Sequence, residues 1–167
     1  AYNREGTLLA SSGDDGTIHI INIASGKNKF ILNAYPKQSE SLEPDKDIKT
    51  EIDPKRVLIL KFTPDGKHLI SSANDSVLKM WDVSTGKLKG EFKGHKDVAP
   101  IFDISRDGEL LVTGSFDRSV RLWRIKDQEQ INIIKIPAIP TGSAHVAGLS
   151  FSTDQNTVAI GSKDHSI

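Results

Sequence analysis

Two series of acidic residues constrain what this chain can fold into. Glu5, Asp65, Asp107 and Asp154 are separated by 60, 42 and 47 residues. Asp15, Asp75, Asp117 and Asp164 are separated by the same three intervals. In the first series the acid precedes a glycine three times, at Gly6, Gly66 and Gly108, the pairing that a tight turn with φ > 0 demands. Two independent anchors that keep step define a repeat, here a unit of about 40–45 residues lengthened once by an insertion. One such unit cannot bury its own apolar face, so the units must stack and share an interior.

Within each unit the apolar residues alternate with period two, the mark of half-buried strands. Unit one, residues 1–32, predicts a strand end at Tyr2 and strands over 7–11, 17–23 and 27–32. Residues 33–55 break the pattern: they hold Pro36, Pro44 and Pro54 and few apolar side chains. Such a stretch cannot bury enough surface to fold by itself. It is expected to be a polar surface insertion, either inert or a partner-binding arm.

Unit two, residues 56–93, predicts strands over Val57–Phe62, 68–72, 77–83 and Leu88–Phe92. VLILKF is nearly continuous apolar sequence, as suits an inner strand covered on both faces. Unit three, residues 94–136, predicts strands over 99–104, 109–114, 119–125 and 130–136. Pro137 and Pro140 end the last of these, since proline supplies no ladder donor. Unit four, residues 137–167, predicts Val146–Phe151 and 157–161 before Asp164. The expectation is an all-β chain of four-stranded antiparallel propeller blades. Its ends fall inside blades, which reads as an excerpt of a longer ring, with a homodimer closing one ring as the alternative.

Composition narrows the chemistry. Lysine plus arginine equal aspartate plus glutamate at 22 each, which argues against a broad nucleic-acid or membrane footprint. Absence of cysteine removes disulfides, thiolate metal sites and a cysteine nucleophile, and suits a reducing, intracellular setting. There is no phosphate-binding glycine loop and no G-x-S-x-G elbow. His19, His68, His95, His145 and His165 lack metal-ligand spacing. Acid pairs such as Asp14-Asp15 read as turn caps. Asn74-Asp75-Ser76 matches a glycosylation acceptor but falls in a turn of the repeat. No catalytic group, cofactor or metal is expected.

SVLKMWD (Ser76–Asp82), SVRLWR (Ser119–Arg124) and Gly94-His95 resemble the WD-repeat family. The resemblance covers nearly the whole chain outside residues 33–55. It implies that a blade is held by a buried quartet of His, Ser or Thr, Asp and Trp. Carried over by spacing, these are His95, Thr113, Asp117 and Trp123 in unit three. Donors and acceptors match as a chain from indole to hydroxyl to imidazole to carboxylate. Unit two supplies Ser71, Asp75 and Trp81, with its His position displaced by the insertion. Unit one has Ser11 and Asp15 but Ile21 for Trp, and unit four has Asp164 with Ile160 in the hydroxyl place. Hydroxyl, imidazole and carboxylate also make a hydrolase triad, but the indole and the turn position favour a structural lock.

The resemblance further implies a partner-docking rim built by loops entering each first strand and by residues before the turn Asp. Those positions are Asp14; Arg56, Leu58 and Asn74; Val98, Pro100 and Phe116; and His145, Ala147 and Lys163. Val98, Pro100 and Phe116 are apolar where a solvated rim is polar, the composition of a docking surface. The expected function is a non-enzymatic scaffold for a protein or peptide, nucleic acid being disfavoured. The alternative is a ligand-sensing regulatory propeller fused to an effector such as an NTPase or protease.

Overall fold

The computed structural model describes residues 1–35, 56–137 and 146–162. The expected features at His145, Lys163 and Asp164, and most of the insertion, lie outside them. Every described element is a strand. They run β1 (Leu8–Ser12), β2 (Thr17–Asn22), β3 (Lys27–Asn33), β4 (Val57–Phe62), β5 (His68–Ala73), β6 (Leu78–Asp82) and β7 (Leu88–Phe92). Then come β8 (Ile101–Ile104), β9 (Leu110–Gly114), β10 (Ser119–Arg124), β11 (Glu129–Lys135), β12 (Val146–Phe151) and β13 (Val158–Ser162). Consecutive strands pair antiparallel into four sheets: β1-β2-β3, β4 to β7, β8 to β11, and β12-β13.

Alternation of side chains explains the stacking. In β5, Leu69 joins the cluster shared with the first sheet, whereas Ile70 joins the cluster shared with the third. In β9, Leu111 faces the second sheet and Val112 the fourth. Successive residues of a strand point to opposite faces, so an adjacent apolar pair marks a strand covered on both sides. The cluster between the second and third sheets sets Ile70, Leu78, Met80 and Phe92 against Phe102, Leu111, Trp123 and Ile125. A carboxylate reinforces the first strands: Asp103 in β8 accepts from Lys61 Nζ of β4 at 2.8 Å and from the Phe151 amide of β12 at 3.0 Å.

The repeat reaches the fine structure. The pairing of third and fourth strands slips at Ile20/Ile21, Met80/Trp81 and Leu122/Trp123, a bulge at the same place in three sheets. Bulges deepen the local right-handed twist. The first turns repeat as well. Thr63, Ser105 and Ser152 donate their hydroxyls to Asp65, Asp107 and Asp154 two residues on. Asn3 caps the equivalent turn in the first sheet through the Thr7 and Leu8 amides.

Most strands shift by one residue at one or both ends from the sequence reading, and two differences have a clear physical cause. The insertion was expected from residue 33, but Asn33 pairs with Thr17 in β3 and Ala34 is buried, its amide bonded to Gly16 O. Tyr35 packs on the first core cluster. The apolar count over 33–55 is low as a whole, and that masks Asn33, which ends the strand, and Ala34, which is bonded and buried just beyond it. Strand β8 starts at Ile101 and not at 99, because Pro100 has no amide to enter the ladder.

Candidate interaction rim and the network beneath it

The third sheet carries a buried polar chain. Trp123 Nε1 donates to Thr113 Oγ1 at 2.9 Å. Thr113 Oγ1 lies 2.7 Å from His95 Nε2, and His95 Nδ1 lies 3.1 Å from Asp117 Oδ2. Since Asp117 can only accept, Nδ1 carries the proton, Nε2 accepts from the threonine, and each donor is used once. Asp117 closes the chain onto its own turn, taking the Lys96 amide on Oδ2 and the Ser119 amide and hydroxyl on Oδ1.

Burial and hydrogen bonding act in opposition on Asp117. Burial pushes its carboxyl up, but the donors from Ser119, Lys96 and His95 outweigh it and bring the pKa to about 2. Burial depresses the His95 pKa, and the neighbouring Asp117 only partly offsets that. The imidazole is therefore neutral at ordinary pH. Thr113 is 0% exposed, so this hydroxyl, imidazole and carboxylate offer no nucleophile to a substrate.

The second sheet makes a shorter chain. Trp81 Nε1 donates to Ser71 Oγ at 2.9 Å, while Asp75 holds the Val77 amide at 3.1 Å and stands 3.6 Å from Lys79 Nζ. The His position was expected to be displaced by the insertion, but Tyr35 follows β3 as His95 follows β7, 60 residues apart. Its ring lies 4.6 Å beneath Lys79 Nζ, and Lys79 is the counterpart of Arg121. Among the described residues the first sheet has no such chain: Ser11 is exposed, Ile21 is half-buried, and Asp15 holds the Thr17 amide and hydroxyl. Ile160 packs against the third cluster.

Sequence reasoning missed Ser119 and Arg121. Ser119 Oγ lies 3.2 Å from His95 Nδ1, and Arg121 is buried with Nη1 on Gln130 Oε1 and Nη2 4.0 Å from Asp117. It also missed the Thr or Ser that opens each first turn, although Thr63, Ser105 and Ser152 keep the repeat's own intervals.

Above this network the expected rim positions fall on equivalent backbone sites. The Phe116 amide donates to Val98 O at 2.9 Å, and the Asn74 amide donates to Arg56 O at 2.9 Å. Arg56 also pairs with Asp14 of the first sheet at 3.0 Å, both well exposed. Leu58, Asn74, Val98 and Pro100 are half-buried, Ala147 is exposed, and Phe116 is 44% exposed. Pro100 O accepts from Ser72 Oγ across the sheet boundary at 3.4 Å. Among the described residues no cluster of three histidine or acidic side chains is arranged to hold a metal.

Stacked antiparallel meanders, four-stranded where the described residues span a whole unit, with a repeating turn, bulge and Trp chain define a β-propeller class of repeat protein. The family model for "WD domain, G-beta repeat" matches residues 1–22, 49–82, 86–124 and 138–167, and the chain belongs to that family. Eukaryotic translation initiation factor 3 subunit I of Emericella nidulans is 34% identical to it over 99 residues. That stretch is 59% of this chain and 28% of the relative, so the chain spans only a minor part of the relative's length.

Proposed function

We propose that this chain is a non-catalytic scaffold that presents the rim around Val98, Pro100 and Phe116 to a protein partner inside a larger intracellular assembly. The observation that carries this is Phe116: a 44% exposed aromatic whose backbone amide is tied to Val98 O, in the turn that also carries Asp117 of the buried network. An aromatic held by a stiff support loses little entropy on docking, which is the composition of an interface hot spot. The initiation-factor relative is named as a subunit, and subunit surfaces are covered by other subunits. The quartet His95, Thr113, Asp117 and Trp123 is read as the lock that fixes the rim, with Ser71, Asp75 and Trp81 as a weaker version. His145 and Lys163 remain candidates on the same rim by spacing alone.

Affinity purification followed by mass spectrometry tests this reading. The wild-type protein is expected to recover a defined set of protein subunits. Phe116→Ala is expected to lose most of that recovery at an unchanged Tm. Full recovery with Phe116→Ala would remove this surface as the docking site.

A further inference from the structure

The turn below the rim also concentrates positive charge in a chain whose net charge is zero. Lys96, Arg118, Arg121 and Lys135 line a cavity of about 240 Å³, with Ile133 and Ile136 as its apolar lining. The one carboxylate there, Asp117, already holds two backbone amides, a hydroxyl and an imidazole. Among the described residues Lys96, Arg118 and Lys135 form no ion pair, and Arg121 reaches Asp117 only at 4.0 Å. Four cations therefore face one spent acid. Like charges brought together this way raise the local potential and favour an anion.

The backbone gives a second, independent sign. Arg118 has φ 61, in the left-handed region disfavoured for a residue with a Cβ. The equivalent position in the first sheet is Gly16, at φ 76. The third sheet keeps an arginine where glycine fits better, and its backbone is pinned on both sides: Arg118 N donates to Ser115 O at 3.2 Å and Ile136 N to Arg118 O at 2.8 Å. Gln128 and Gln155 share this backbone at φ 59 and 62, but of the three Arg118 alone carries a cation and lines the cavity.

We infer that this cavity binds a dianionic phosphoryl group carried by a serine or threonine of a partner protein. Arg118 supplies a planar fork of donors, Lys96 and Lys135 supply point charges, and Arg121 supplies fixed charge from beneath. Ile133 and Ile136 accept an apolar neighbour in the same peptide. The size suits one side chain, being below the roughly 300 Å³ of common small-molecule sites. No aromatic lines the cavity, so it lacks the stacking platform that single-stranded nucleic acid uses. The inference stands without the rim reading, which concerns apolar docking at Phe116.

The test uses the full-length protein and a fluorescein-labelled peptide pool, degenerate around a fixed phosphoserine, followed by anisotropy. The matching serine pool, oligothymidylate and inorganic phosphate are the comparisons. The phosphoserine pool is expected to bind about tenfold tighter than the serine pool, with affinity falling as salt rises. Arg118→Gly and Lys135→Gln are each expected to remove about that tenfold advantage. Glycine suits φ 61, so Arg118→Gly keeps the fold, and an undiminished Tm verifies this. Equal binding of the two pools, or full binding by Arg118→Gly, overturns the assignment. Tighter binding of oligothymidylate would reassign the cavity to nucleic acid. Displacement by inorganic phosphate at the concentration of phosphopeptide itself would make it a free-anion site.

Discussion

The second and third blades share a strand order and a bulge, yet differ in how their polar interiors are finished. In the third, Trp123, Thr113, His95 and Asp117 form one chain in which every buried donor reaches an acceptor. In the second, among the described residues Trp81 reaches Ser71 and no imidazole continues the chain, with the Lys79 ammonium over the Tyr35 ring at the positions that correspond to Arg121 and His95. The rims differ in the same direction. Arg56 and Asn74 are polar, whereas their counterparts Val98 and Phe116 are apolar. The blade with the complete network is also the blade with the apolar rim. A recognition surface needs its anchors held still, and a satisfied network rigidifies what lies above it.

The largest expected difference comes from the central hydroxyls. Thr113→Val orphans both the Trp123 indole and the His95 imidazole, at about 1–3 kcal/mol for each buried group. Ser71→Ala orphans the Trp81 indole alone, so urea unfolding is expected to show about half the loss. Equal losses would break the comparison. Next, Asp117→Ala is expected to cost about 1–3 kcal/mol through its stranded donors. Asp75→Ala, which releases one amide and a 3.6 Å lysine contact, is expected to cost less than about 1 kcal/mol.

Acid sharpens the contrast at intermediate size. Asp117 has a folded pKa of about 2, below its ordinary value of 3.8, so its contribution is present above that value and lost as pH falls toward 2. His95, depressed by burial, resists protonation in the fold, so stability also declines as pH drops below 6.5. Hydrogen exchange is expected to show amides of β9 and β10 losing protection first on acidification, ahead of β5 and β6. The smallest effect belongs to the surface: Phe116→Ala is expected to shift stability by less than about 0.5 kcal/mol.

Much of this was legible from two spacings. Strand positions followed because Asp and Gly at fixed intervals dictate turns, and turns dictate where period-two runs begin. The quartet could be placed because the resemblance to the WD-repeat family implies its four members and their offsets from the turn acid. The residues that escaped carry weaker signals. Tyr35 escaped because the insertion after it breaks the interval, and only its distance from His95, measured strand end to strand end, recovers it. Ser119 and Arg121 escaped because small and basic residues in a strand read as solvated until neighbours cover them, here β9 and β11 on either side of β10. Thr63, Ser105 and Ser152 were recoverable, since a hydroxyl two residues before a turn acid is an ordinary cap, repeated here in register.

Asp103 gives its two oxygens to opposite neighbours, Oδ1 to Lys61 of the preceding blade and Oδ2 to the Phe151 amide of the following one. It therefore works as a fulcrum. Tilting the third blade toward either side opens one of these bonds, so the angle between successive wedges is resisted in both directions by a single side chain. A load applied at the Phe116 rim is then passed sideways into the adjoining blades, and does not dissipate as rocking of one sheet.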